Sequence, residues 1–75
     1  MQFVYLHRSD GKSVHKDTAG RYFLNECQVR DEAKRILAAT LLGTEMTGDT
    51  LGLSVEARDL SGRTIFQVSV VASVW

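Results

Sequence analysis

A chain of 75 residues has room for one domain, residues 1–75, and for only a thin core, because a domain of this size buries about 60% of the surface its unfolded chain exposes. Its nine basic and nine acidic side chains cancel, which argues against a dedicated nucleic-acid binder with its clustered basic excess. Its apolar runs fall far short of the ~18 residues of a membrane span.

Small domains of this kind hold roughly 3–5 kcal/mol of stability and are commonly reinforced by disulfides, a metal or a partner subunit. Cys27 is the only cysteine, so no disulfide can close within the chain. Cys27, His7 and His15 are the only nitrogen or sulfur ligands, and none stands at a zinc-binding spacing. Self-association is the option left. The charge asymmetry is mild: residues 1–42 carry seven basic and five acidic side chains, residues 43–75 two and four, too little to steer a polyanion. Met1 leads into a strand-like run without a basic n-region, so no signal peptide is expected. The lone cysteine fits a reducing compartment and predicts a cytoplasmic protein.

Taken in chain order, residues 2–8 are rich in strand formers, with Phe3, Tyr5 and His7 on one face and Val4, Leu6 and Arg8 on the other. Both faces are partly apolar, which predicts a strand interior to the sheet. Ser9-Asp10-Gly11-Lys12 is a turn, and residues 12–16 return as a polar edge strand guarded by lysines. Asp17-Thr18-Ala19-Gly20 turns again, and residues 21–24 run extended toward a helix. Asn25 with Gln28 makes a capping-box pattern. Val29, Ala33, Ile36, Leu37, Thr40 and Leu41 then form one apolar stripe. Glu26–Arg30 and Asp31–Arg35 are i,i+4 pairs worth about 0.3–0.5 kcal/mol each. Gly43 is expected to stop the helix as its C′ residue, and residues 44–50 read as a polar loop. Leu51, Leu53, Val55 and Ala57 alternate with smaller or polar residues, the pattern of a strand with one face covered. Asp59–Arg63 is a hairpin loop, and residues 64–75 form the last strand, with Phe66, Val68, Val70, Ala72 and Val74 on one face. The predicted fold class is α+β: ββαββ, a four-stranded antiparallel sheet with one amphipathic helix on one face.

This order of signals resembles a family of small, functionally uncharacterised ββαββ bacterial proteins with many members in rhizobia and related alphaproteobacteria. The matching pieces are Phe3-Val4-Tyr5, Asp10-Gly11, the Asp17–Gly20 turn, the cap at Asn25, Arg30-Asp31-Glu32-Ala33, and Val55 through Arg63 with its Asp-x-x-Gly-Arg ending. Asn25 replaces an acid, and Leu24 stands where a proline is common. The resemblance implies a fold and carries no activity.

Few residues suggest chemistry. His7 and His15 would form a poor metal pair even if the first hairpin brought them together. Cys27 stands in the first helical turn, a favourable place for a reactive thiolate, with no histidine or second cysteine near it in sequence. Asp10, Asp17 and Asp59 each sit beside a glycine and read as turn formers rather than calcium ligands. Tyr5, His7, Tyr22 and Cys27 would be the material of a small pocket. Arg30, Lys34 and Arg35 could make a shallow phosphate-contacting patch, but acids are interleaved with them. No cofactor and no enzymatic activity are expected. The feature that stands out is the last strand, apolar on both faces: Ile65, Val71, Val74 and Trp75 are expected to form an exposed interface. The expected role is a non-enzymatic interaction module, a homodimer through the C-terminal strand or the open sheet face. The alternative is a nucleic-acid-associated regulator loosely like HicB-type antitoxins.

Overall fold

A computed structural model describes residues 1–43 and 50–73. Five strands and one helix follow in the order β1 Gln2–Ser9, β2 Val14–His15, β3 Arg21–Phe23, α1 Glu26–Gly43, β4 Thr50–Arg58 and β5 Thr64–Ser73. The sheet is antiparallel throughout, in the order β2-β1-β4-β5, and β3 pairs with β1 as well. The α+β class read from the sequence is the one observed, with β1 interior as its two-sided apolar pattern requires.

One edge of the sheet is divided. β2 pairs with the end of β1, Arg8↔His15 and Ser9↔Val14, whereas β3 pairs with its beginning, Gln2↔Phe23 through Val4↔Arg21. The extended piece before the helix is therefore a fifth strand, and the predicted second strand shrinks to two residues. On the other side β1 pairs with β4 only as far as Ser9↔Ser54, while β4 and β5 stay paired to Thr50↔Ser73. The β4–β5 hairpin thus runs beyond the rest of the sheet and gives the molecule its long dimension, 43 × 21 × 17 Å.

The helix starts where its capping box lies. The Gln28 N–H donates to Asn25 Oδ1 at 2.9 Å, and the Gln28 side-chain oxygen accepts the Leu24 N–H at 2.9 Å, so two N-terminal donors are satisfied before the first turn closes. Gly43 is the last helical residue and has no left-handed backbone, so it is not the C′ cap expected from its type; residues 44–49 of the predicted loop lie outside the described residues. The stripe faces the sheet: Val29 and Ala33 are fully buried, and Ile36 and Leu37 pack half-buried behind them. Beneath lie Val4, Leu6, Phe23, Leu53, Val55 and Ala57, the alternate residues that the period-2 patterns assign to one face. The largest fully buried side chains are three valines, Val4, Val29 and Val55, each worth about 1.5–3 kcal/mol when fully buried. The core is small because the helix stripe is small.

On the helix surface Glu26 meets Arg30 at 3.5 Å as predicted. Arg35 bonds Glu32 rather than Asp31. Glu32 is three residues back, on the side of the helix facing β3, where Arg21 reaches it at 2.7 Å. One carboxylate thereby joins β3 to the helix, and the Arg21 guanidinium also lies 4.9 Å from the Phe23 ring centre.

Candidate functional site

The helix covers one face of the sheet, and the alternate residues make the other. From β1 and β3 come Phe3, Tyr5, His7 and Tyr22. Phe3 meets Tyr5 and Tyr22 edge-on at 5.4 and 4.9 Å between ring centres, and Tyr5 stacks on His7 at 6.4 Å. From β4 and β5 come Glu56 and Arg58, bonded to each other at 2.9 Å, and Thr64, whose hydroxyl donates to Glu56. The Arg58 bond, against partial desolvation, and then the Thr64 bond and the nearby His7 hold the Glu56 carboxyl below its ordinary range.

Asp17 completes the divided edge. Between β2 and β3 the Leu6 N–H has no strand to pair with. Asp17 Oδ2 accepts it at 3.2 Å, and Oδ1 accepts the Ala19 and Gly20 N–H groups at 3.1 and 3.0 Å. The Asp17 N–H in turn donates to His7 Nδ1 at 3.0 Å, which ties the imidazole to the turn. Desolvation pushes the Asp17 carboxyl up, but the three N–H groups and His7 outweigh it and lower it. Gly20 closes this turn with φ 66°, where a Cβ would stand 2.5 Å from the Phe3 ring; only glycine allows the chain so close.

The opposite edge is β5. It pairs with β4 along its length, and no described strand lies on its outer side. Its ten residues, Thr-Ile-Phe-Gln-Val-Ser-Val-Val-Ala-Ser, include no charged residue and no proline, two of the usual protections of an exposed edge, and its β-bulge is confined to the start of the strand at Ile65.

The predicted interface residues fall in different places. Val71 is 69% exposed. Ile65 stands at a β-bulge, where Ala57↔Phe66 is followed by Arg58↔Thr64, and packs half-buried against the core. Val74 and Trp75 lie outside the described residues. Val4 of β1 is buried under the helix. The open face is therefore less apolar than expected: Phe3 and its rings occupy one end, Val71 stands at the other opposite Gly52, and polar side chains lie between. The predicted phosphate patch is partly neutralised. Arg30 pairs with Glu26 and lies 4.7 Å from the Phe66 ring centre, Arg35 is bonded to Glu32, and Lys34 is exposed.

His7 and His15 do not meet. His15 lies opposite Arg8, so the pleat puts it on the helix side while His7 is on the other. Cys27 is exposed. Among the described residues no group of three or more His, Cys, Asp or Glu side chains is placed to hold a metal. Asp10 and Asp59 are the turn formers the sequence indicates. Asp10 accepts the Lys12 and Ser13 N–H groups, and Asp59 accepts those of Ser61 and Arg63. The role of Asp17 as a substitute ladder partner was not legible in sequence, because it depends on two short strands sharing one edge of β1.

Fold and surface thus define a small α+β domain with one helix on an antiparallel sheet, and no helix among the described residues is long and apolar enough to cross a membrane. The chain belongs to the family of a domain of unknown function, DUF6894, whose model matches residues 3–72. No curated protein and no solved structure matches it.

Proposed function

We propose that the chain is a non-enzymatic interaction module that forms a homodimer by pairing β5 with its twin. The observation that carries this reading is the outer edge of β5, ten residues without charge or proline on whose outer side no described strand lies. The other edge is broken into strands of two and three residues, with Lys12 and Lys16 flanking the first. Antiparallel pairing about a two-fold axis satisfies the free N–H and C=O groups of β5 with an identical partner and joins two sheets into one. Val71 then gains cover beside the axis. The alternative placement, face to face across the open side, has less support, because Glu56, Arg58, Gln67 and Ser69 would have to be desolvated there. The exposed lone thiol of Cys27 suits a cytoplasmic setting. The nucleic-acid reading gains nothing from the helix patch, where two of the three cations already have acidic partners.

Light scattering after size exclusion tests the assignment. A dimer is expected at micromolar concentration, and Ser69→Lys, which brings like charges together near the middle of paired β5 strands, should yield a folded monomer. Tyr22→Ser, on the open face far from β5, should remain dimeric. A monomeric parent chain sinks the proposal. So does a dimer that survives Ser69→Lys and is lost in Tyr22→Ser.

A further inference from the structure

Among the described residues, the helix-covered face is open at the end where β1 turns into β2. The first half of α1 sits close on the sheet, but Leu37 and Thr40 remain half-buried, and a cavity of about 200 Å³ is left beneath them. Its apolar wall is Leu37 of the helix with Leu53 and Val55 of β4, and its rim carries Arg8, Asp10 and His15. Arg8 and His15 are direct cross-strand partners. Arg8 takes part in none of the ion pairs among the described residues, and Lys16 borders the adjoining depression together with both. The acids nearby are committed elsewhere: Asp10 to the N–H groups of Lys12 and Ser13, and Asp17 to those of Leu6, Ala19 and Gly20.

We infer that this cavity binds a small amphipathic anion, a short aliphatic carboxylate, with its head on Arg8 and His15 and its tail against Leu37, Leu53 and Val55. The guanidinium offers a two-point fork that matches a carboxylate, and His15 adds a ring N–H. The apolar wall selects for a tail, since water against half-buried Leu37, with Leu53 and Val55 closing the floor, gains no hydrogen bonds there. The volume lies below the roughly 300–1,000 Å³ of pockets for drug-sized ligands, so nucleotides and large cofactors do not fit. No residue of β5 lines the cavity, so the site is independent of the proposed pairing and stands or falls separately.

Titration of the ¹⁵N-labelled full chain with hexanoate, hexanol and acetate, followed by NMR, tests it. Hexanoate should shift the amides of Arg8, His15, Leu53 and Val55 saturably, with a Kd of roughly 1 mM, in keeping with so few ligand atoms. Hexanol, without the charge, and acetate, without the tail, should each bind roughly tenfold more weakly. Arg8→Met, at an exposed position, should weaken hexanoate by a similar factor and leave hexanol unchanged. Absence of saturable shifts with hexanoate overturns the proposal, as does hexanol or acetate binding equally well. These comparisons on the parent chain decide the matter even if a variant fails to fold.

Discussion

Asp17 acts through hydrogen bonds accepted from the backbone. Its carboxylate takes three N–H groups that no strand reaches, and the one on Leu6 is partly buried in the middle of β1. Asp17→Ala should cost about 1–3 kcal/mol, the range for leaving buried donors unpaired, and urea unfolding would measure it; Asp17→Asn, which keeps an acceptor, should cost less. The same residue contributes to pH dependence. Asp10, Asp17, Glu32, Glu56 and Asp59 all hold their carboxyls below the ordinary values of 3.8 for Asp and 4.5 for Glu. The folded state therefore binds these protons less tightly than the unfolded chain. The resulting stability is fully present above the ordinary values and is lost as the pH falls through the lower folded-state values. The urea midpoint should be flat near neutrality and drop below about pH 4.5, with a smaller drop in Asp17→Asn. Gly20→Ala should also destabilise, by about 1–2 kcal/mol, since its left-handed φ and the Phe3 ring at 2.5 Å both oppose a side chain.

At the scale of elements, the helix depends on its ends and on one strand. Asn25→Ala removes the acceptor for the Gln28 N–H and should cost about 1 kcal/mol in urea unfolding. Arg21 ties β3 to the helix through Glu32, where the Arg35 bond, against desolvation and with Arg21 beyond it, lowers the Glu32 carboxyl. Arg21 is half-exposed, so solvent screening keeps the pair weak by itself; Phe23 of the same strand is buried in the core. The strands were legible from their period of two. Leu53, Val55 and Ala57 are buried and Ser54 and Glu56 are not, as alternation requires. β3 was less legible, because three residues are too few to display a period and their pairing with Gln2–Val4 is contact between distant parts of the chain.

The whole molecule has a thin margin. Its core rests on valines and alanines with Leu6, Phe23 and Leu53, and a domain of this size holds roughly 3–5 kcal/mol. Val55→Ala, at a fully buried site, should remove about 2 kcal/mol and leave only about 1–3 kcal/mol of the margin. If β5 pairs with its twin, assembly and folding are linked, and the melting temperature should rise with protein concentration. Calorimetry over a hundredfold concentration range would show it; a constant melting temperature counts against a dimer that contributes to stability.

What the sequence by itself determined was local: the capping box at Asn25, the turns at Asp10 and Asp59, the helix stripe, and which residues of β1, β4 and β5 share a face. Periodicity and side-chain chemistry act over a few residues, so these could be read along the chain. Only the tertiary structure decided that β2 and β3 divide one edge, that Asp17 fills the interval between them, that His7 and His15 face opposite ways, and that β5 is the other edge, with no described strand outside it. Those outcomes depend on which strands lie side by side. Strand order is set by packing the whole apolar face under a single short helix, and no local pattern encodes it.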